Sequence, residues 1–250
     1  LSAFGAIYWI RIRQVKQRQR LRSVFERQLT EMEIRALRAQ LNPHFIFNSL
    51  NALKHFLISG NAHQGVRFLN KFAGLLRMIL NQSQQTETTL ESELEFVELY
   101  LNLEQMRFDG SFDWNLDLEA GLFPEQLLVP PLLIQPFAEN AVWHGLMHKE
   151  DHRKLQLRVY EQKGFLHIEV EDNGIGRSKA MEFKSRQSHR QASYGTEISR
   201  QRLHHLIPEG ADYEPLQIHD LKTEEGRALG TRVLLVLPIQ RLQHANRRTG

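Results

Sequence analysis

Apolar residues recur along the first third of the chain at helical rather than strand spacing. From Arg11 to about Gln40 there is neither Pro nor Gly, and Val15, Leu21, Val24, Phe25, Leu29, Met32, Leu37 and Leu41 are set among strong helix formers. This predicts a long connector helix over 11–34, whose irregular, near-3.5 apolar spacing suits a parallel contact between two copies. Residues 44–58 continue apolar and helical, Gly60-Asn61 interrupts, and Val66, Leu69, Phe72, Ala73, Leu76, Ile79 and Leu80 form a second stripe. A helical hairpin is expected within a region spanning 35–108. One hairpin has too little core to stand alone, but two can bury their stripes as a four-helix bundle, so a homodimer is expected. A further amphipathic helix is expected over 89–107, with Leu94, Val97, Leu101 and Met106 buried and its many carboxylates forming a solvated face.

After Asp109-Gly110 the pattern changes to alternation. WNLDL (114–118), LQLRVY (155–160), FLHIEVE (165–171) and RVLLVLP (232–238) read as strands, separated by helical segments at about 131–148 and 196–207. Lys163-Gly164 and Asp172-Asn173-Gly174 are turn signals at strand ends, and 178–193 reads as a polar loop. An α+β domain over 109–240 is expected, followed by a tail at 241–250. With 250 residues, 41% of them hydrophobic and 24% charged, two modest domains are the natural division. The absence of cysteine removes disulfides and thiolate metal sites.

The net charge of +3 is unevenly placed. Residues 1–38 hold nine basic side chains against Glu26, Glu31 and Glu33, so the rest of the chain is net acidic. That distribution argues against a nucleic-acid-binding domain, which would carry its basic patch on a folded surface. The opening LSAFGAIYWI is uncharged, has Tyr8 and Trp9 near its end and runs directly into Arg11 and Arg13. It reads as the end of a transmembrane helix at 1–10, with the rest of that helix expected upstream, because a span needs about 20 residues. Interfacial aromatics trailed by basic residues place the downstream chain on the cytoplasmic side of an inner membrane. A frayed soluble helix start is the alternative.

Four strings carry candidate chemistry. In Gln40-Leu41-Asn42-Pro43-His44-Phe45-Ile46-Phe47-Asn48, a proline inside a helical run costs about 3 kcal/mol and should kink the helix at His44. A neutral imidazole there has a lone pair able to attack phosphorus, although a single helical histidine is more often structural. In Pro130-Pro131-Leu132-Leu133-Ile134-Gln135-Pro136-Phe137-Ala138-Glu139-Asn140-Ala141-Val142-Trp143-His144-Gly145, polar residues recur at helical spacing, as on a cleft wall or the polar edge of a core helix. Asn140 offers an oxygen suited to Mg2+ and His144 a donor suited to phosphate. Asp172-Asn173-Gly174-Ile175-Gly176 comes directly after a strand, where a carboxylate can accept from an exocyclic amino group such as that of adenine and glycines allow close backbone approach. Gly230-Thr231-Arg232-Val233 could bring a hydroxyl near the same carboxylate.

In this order the strings resemble the sensor histidine kinases of the LytS/YehU type over roughly 35–240. The resemblance implies an α plus α+β chain, with a dimeric helical-hairpin (four-helix-bundle) domain followed by a GHKL (Bergerat) ATP-binding α/β sandwich. It implies that His44 accepts the γ-phosphoryl group of ATP, Asn140 holds Mg2+, Asp172 reads adenine, and Gly174, Gly176 and Thr231 shape the base pocket. A response regulator receiver domain then takes the phosphoryl group on an aspartate. Two departures stand out. Ser193-Tyr194-Gly195-Thr196-Glu197-Ile198-Ser199 keeps one glycine where the family often has two and an Asn, so altered nucleotide affinity is expected, with Gly195 still able to open a helix toward phosphate. Phe45 stands where many histidine kinases place a carboxylate, leaving Glu139 as the nearest motif candidate for a base. A GHKL-type ATPase without a histidine acceptor and a catalytically impaired membrane scaffold are the alternatives. A metal site on His144, His148 and His152 lacks an acidic or thiol partner.

Overall fold

In a computed structural model of the 250-residue chain, residues 43–108, 110–186 and 213–242 are described, together with Arg11, Arg13, Lys16, Arg200 and Leu203. The expected membrane stub 1–10, nearly all of the connector 11–34, Gly195 and the tail from 243 lie outside the described residues. Among the described residues no helix is long and apolar enough to cross a membrane. The contacts divide the chain into compact units at 1–51 and 52–250.

Helix α1 (Pro43–Ile58) opens the first continuous described stretch and includes the expected acceptor string from Pro43 onward. Gly60, at φ +75, ends the run in the left-handed region, and the Asn61 N–H reaches back to the Phe56 carbonyl at 2.9 Å. Helix α2 (Ala62–Gln82) comes next. Its buried stripe is Gly65, Phe68, Phe72, Leu75, Ile79 and Gln82, which differs from the stripe expected from sequence. Val66, Leu69 and Leu80 are 57%, 46% and 47% exposed. The helix carries apolar residues on two faces. The face with more aromatic area takes the intrachain core, where Phe68 lies 5.7 Å from Phe56 and 6.4 Å from Phe72.

The two-residue strand β1 (Thr88–Thr89) leads into helix α3 (Leu90–Arg107). Thr89 is its N-cap, accepting the Ser92 N–H at 3.2 Å. Leu94, Val97 and Leu101 are buried as expected, with Met106 only partly so. The expected solvated face is corrected at two positions, because Glu93 and Glu104 are fully buried. Inside the fold Glu93 meets two backbone N–H groups and Glu104 an ion pair with Arg107.

The remaining strands are β2 (Asp113–Leu118), β3 (Leu127–Val129), β4 (Lys154–Gln162), β5 (Phe165–Asp172), β6 (Leu216–Lys222), β7 (Ala228–Pro238) and β8 (Gln240–Arg241). Five of them form one sheet in the order β2-β4-β5-β7-β6, in which β2 and β4 are parallel and the other pairs antiparallel. A small antiparallel sheet joins β1, β3 and β8. Lys163 and Gly164, at φ +53 and +82, form the tight turn between β4 and β5 that the Lys-Gly pair predicted. Strand β6 was not expected, and its ladder to β7 is irregular at Leu221/Lys222.

Helix α4 (Gln135–Asn140) continues as a π-helical turn (Ala141–Leu146), and α5 (Arg177–Arg186) comes after β5. The π turn packs on β4, β5 and β7, while α3 packs against α2, β3 and α4. This is a two-layer arrangement of helices on a mixed sheet, as expected. Leu155, Leu157, Val159, Leu166, Ile168 and Val170 supply the buried sheet face. The opposite face is polar: Glu171 pairs with Arg232 at 2.7 Å and Arg158 at 3.4 Å, and Tyr160 donates to Glu169 at 2.8 Å.

Replacing Thr89 by Ala should cost about 1 kcal/mol of stability, with Thr89→Ser nearly neutral, because only the alanine variant leaves an orphan N–H at the start of α3. Urea unfolding midpoints of the two variants check this.

Candidate functional site

The period-two pattern of β5 places Leu166, Ile168 and Val170 on the buried face, and the next step along it is Asp172. Its side chain is therefore delivered to the apolar side of the sheet, where the residue is only 5% exposed. Leu155 flanks it on β4 and Thr231 on β7. One carboxylate oxygen accepts the Gly174 N–H at 2.8 Å, and the Thr231 backbone N–H also donates to the carboxylate. Burial raises its pKa to about 7, against the lowering effect of those two N–H groups and the weaker opposing influences of Glu171 and Lys149.

Close backbone approach walls this carboxylate. A Cβ on Gly145 would lie 2.6 Å from Asp172 Oδ1, and one on Gly174 would collide with the backbone of Gly145. At Gly230, φ is +140 and a Cβ would overlap the Asp172 carbonyl oxygen. Gly176 has φ +77 and would meet the Ala228 Cβ at 2.8 Å. Only glycine satisfies both the contact and the dihedral at Gly230 and Gly176. Hydrogen bonds hold the three segments in register. Ile175 N–H donates to the Gly145 carbonyl at 3.1 Å, and Asn173 N–H to the Lys154 carbonyl at 3.1 Å. The Asn173 side chain accepts the Lys154 N–H at 2.8 Å and donates to the His152 carbonyl at 2.5 Å. Lys149 Nζ donates to the Asn173 carbonyl at 2.7 Å.

The second string departs from the single helix expected over 131–148. Leu132 has φ +56, α4 begins only at Gln135, and from Ala141 the winding is π-helical, with the Met147 N–H donating to the Val142 carbonyl at 2.9 Å. The wider turn carries Gly145 to its contact with Asp172. Glu139, Asn140 and His144 are half-buried on the same continuous segment. On the other side of the turn the Trp143 ring packs edge-on against Phe108 at 5.6 Å, with Arg107 lying 4.2 Å from each ring.

Three of the four strings thus converge: the segment of Glu139, Asn140 and His144, the loop of Asp172, Gly174 and Gly176, and Gly230-Thr231. Gly195 lies outside the described residues, as does the imidazole of His44, whose backbone is helical in α1. Gly145, Gly230, Lys149 and Asn173 have no role that the sequence pattern alone assigns. Gly145 closes the second string and Gly230 opens the fourth, so their places beside chemistry-bearing residues were the available signal. Among the described residues no group of three or more His, Cys, Asp or Glu could hold a metal ion. The amide oxygen of Asn140 and the carboxylate of Glu139 are hard donors on a half-buried turn. Such a set fits Mg2+, which takes few protein ligands when phosphates complete its shell.

A family model described as Histidine kinase matches residues 32–112, which include His44, α1, α2 and α3. The chain is 36% identical over 148 residues to the "Sensor protein LytS" of Bacillus cereus, covering 59% of this chain and 25% of that protein. It is also 36% identical over 152 residues to the "Sensor histidine kinase/phosphatase LytS" of Staphylococcus aureus strain Mu50, covering 60% of this chain and 26% of that one. It therefore spans about a quarter of the length of these relatives. Among solved structures, a histidine kinase domain from the blue-light activated histidine kinase of Erythrobacter litoralis EL346 aligns with TM-score 0.42 and 16% identity. That alignment covers 85% of this chain and 94% of the other, a likeness too loose to bear on residue roles. The chain is similar to LytS-type sensor histidine kinases.

Gly230→Ala should destabilise the protein by at least about 2 kcal/mol, combining a left-handed strain with overlap on the Asp172 carbonyl. Gly226→Ala, at φ +82 with open space around it, should cost only about 1 kcal/mol. Calorimetric unfolding of both variants makes the comparison.

Proposed function

We propose that this chain is the cytoplasm-facing kinase portion of a two-component sensor histidine kinase. It uses ATP with Mg2+ to phosphorylate its own His44 and passes the phosphoryl group to an aspartate in the receiver domain of a response regulator. The observation that carries this reading is the buried Asp172 carboxylate, walled by glycine backbone, in a chain whose residues 32–112 match a histidine kinase model. A carboxylate aimed from an apolar wall can read an adenine amino group by a charge-assisted hydrogen bond. The glycines let the ring lie against backbone, and Thr231 stands beside Asp172 in the ladder.

Asn140 would hold Mg2+, which when bound would neutralise charge on the phosphates. His144 donates to phosphate from the same turn. The neutral His44 imidazole attacks the γ-phosphorus, so that a nitrogen–phosphorus bond forms as the bond to the ADP oxygen breaks. The imidazole proton leaves to a base, for which Glu139 is the motif candidate. Membrane attachment is supported by the uncharged residues 1–10 followed by Arg11 and Arg13. A homodimer through the hairpin is supported by the exposed apolar face of Val66, Leu69 and Leu80 on α2.

His44→Gln should abolish acid-labile labelling from γ-labelled ATP while nucleotide binding stays near the wild-type level. Persistent acid-labile phosphate in that variant would sink the reading, and it would equally distinguish this kinase from an ATPase without an acceptor. Asp172→Asn should weaken adenine nucleotide binding. Because the Asp172 pKa is raised to about 7, the accepting carboxylate form is depleted on acidification, and affinity should fall by up to about tenfold between pH 8 and pH 6. The Asp172→Asn variant should lose this pH dependence, as read by calorimetric titration with ADP.

Replacing Val66, Leu69 and Leu80 together by Glu should give monomers in sedimentation that bind nucleotide yet label His44 poorly. Phe72, also on the stripe expected from sequence, is a poor choice for this test because it is part of the intrachain core.

A further inference from the structure

Helix α3 meets the turn bearing Glu139 and Asn140 at both of that turn's ends, through two fully buried carboxylates. At the leading end, the Glu93 oxygens accept the N–H groups of Leu132 and Ile134, each at 2.8 Å. Ile134 is the N-cap of α4 and has no capping side chain of its own, so a carboxylate from another helix takes that place. The same two bonds hold Leu132 in its left-handed conformation at φ +56. At the trailing end, Glu104 pairs with Arg107 at 2.5 Å, and the Arg107 guanidinium lies over the Trp143 ring of the π turn at 4.2 Å. Arg107 is in turn held between the Phe108 and Trp143 rings.

Glu93 and Glu104 are eleven residues apart, or about three turns, so they lie on one face of α3 roughly 16 Å apart. Between the two anchors lie Gln135, Glu139 and Asn140, the polar groups of the second string. Helix α3 is also fixed to α2. The Gln82 side-chain amide donates to the Ser92 carbonyl at 3.4 Å and hydroxyl at 3.3 Å, and a Cβ at Gly74 would sit 3.6 Å from Leu99. The turn bearing Glu139 and Asn140 is therefore joined to α2 through a single helix, α3.

We infer that Glu93 and Glu104 are positioning residues, which clamp the Glu139–Asn140 turn to helix α3 so that phosphoryl transfer depends on where α3 places it. This deepens the function proposed above and rests on it for the catalytic consequence, but the clamp itself has a readout independent of activity. Glu93 and Glu104 stand on α3 whereas Asp172 reaches its pocket from the sheet, so adenine recognition should be spared when the clamp is loosened.

The test uses the full chain with Glu93→Gln and Glu104→Gln, near-isosteric changes that weaken the anchors without opening cavities. Amide hydrogen exchange over 133–147 should accelerate by about tenfold in each variant, roughly the loss of one charge-assisted hydrogen bond. Exchange over β5 should stay unchanged, serving as the internal measure of folding. Labelling at saturating ATP should slow by about tenfold while KM for ATP moves less than about threefold, since positioning rather than binding is lost. Glu104→Asp, which keeps the charge but shortens the reach, should recover part of the rate. Wild-type exchange over 133–147 in both Gln variants would overturn the inference whatever the labelling gives. Accelerated exchange with unchanged labelling rate would overturn its catalytic half. Failure of the wild-type chain to label at all would instead overturn the kinase reading and leave the clamp to be judged by exchange alone.

Discussion

A carboxylate forced onto the apolar face of a sheet is the constraint around which this unit is arranged. Nothing in the strand pattern lets Asp172 escape, because turning it outward would turn Leu166, Ile168 and Val170 outward as well. With a pKa raised from 3.8 to about 7, the burial corresponds to roughly 4 kcal/mol at neutral pH and above. The folded value lies above the unfolded one, so protonation stabilises the fold at low pH, and that contribution is lost as pH rises through about 7. The ionised group is served by backbone N–H groups of Gly174 and Thr231 and crowded by glycine backbone. A group that brings its own donor to this carboxylate would offset part of the cost of burying it.

The buried acids of α3 answer the same problem in two other ways. Glu93 meets two backbone N–H groups that the start of α4 leaves unserved, so one carboxylate satisfies two orphan donors. Glu104 meets a guanidinium instead. Burial pushes its pKa up to about 8, with Arg107 and Trp143 opposing, and burial likewise lowers the pKa of Arg107. Desolvation thus works against charge on both members, and such a pair contributes more to fixing geometry than to net stability. Its geometric product is the placement of Trp143, and hence of the π turn.

Much of this was legible in the sequence, for identifiable reasons. Period-two alternation located β2, β4, β5 and β7 to within a few residues, and Lys163-Gly164 located a hairpin turn, because both signals are local. Strand β6 was missed because LQIHDLK mixes polar and apolar residues, as an edge strand can when one side is open. The face of α2 that packs within the chain was not singled out by spacing, since that helix has two apolar faces and only tertiary packing selects between them. At the site, Asp172 and its glycines were found from the motif. The burial of Glu93 and Glu104 was not, because the partners of Glu93 lie 39 and 41 residues away, and the i,i+3 pair of Glu104 with Arg107 looks in sequence like a solvated one until Trp143 covers it. The π winding itself leaves no mark in residue spacing.

The two edges of the main sheet bear on how copies of this chain can meet. Along β2, Asp113 and Asp117 are exposed, and the outermost β6 is irregular where Lys222 enters. Charge on one rim and a break in regularity on the other both discourage strand-by-strand growth into stacked fibrils. Self-association is thereby steered away from the β-edges and left to the helical surfaces, where contact can form and dissolve without an open ladder to propagate it.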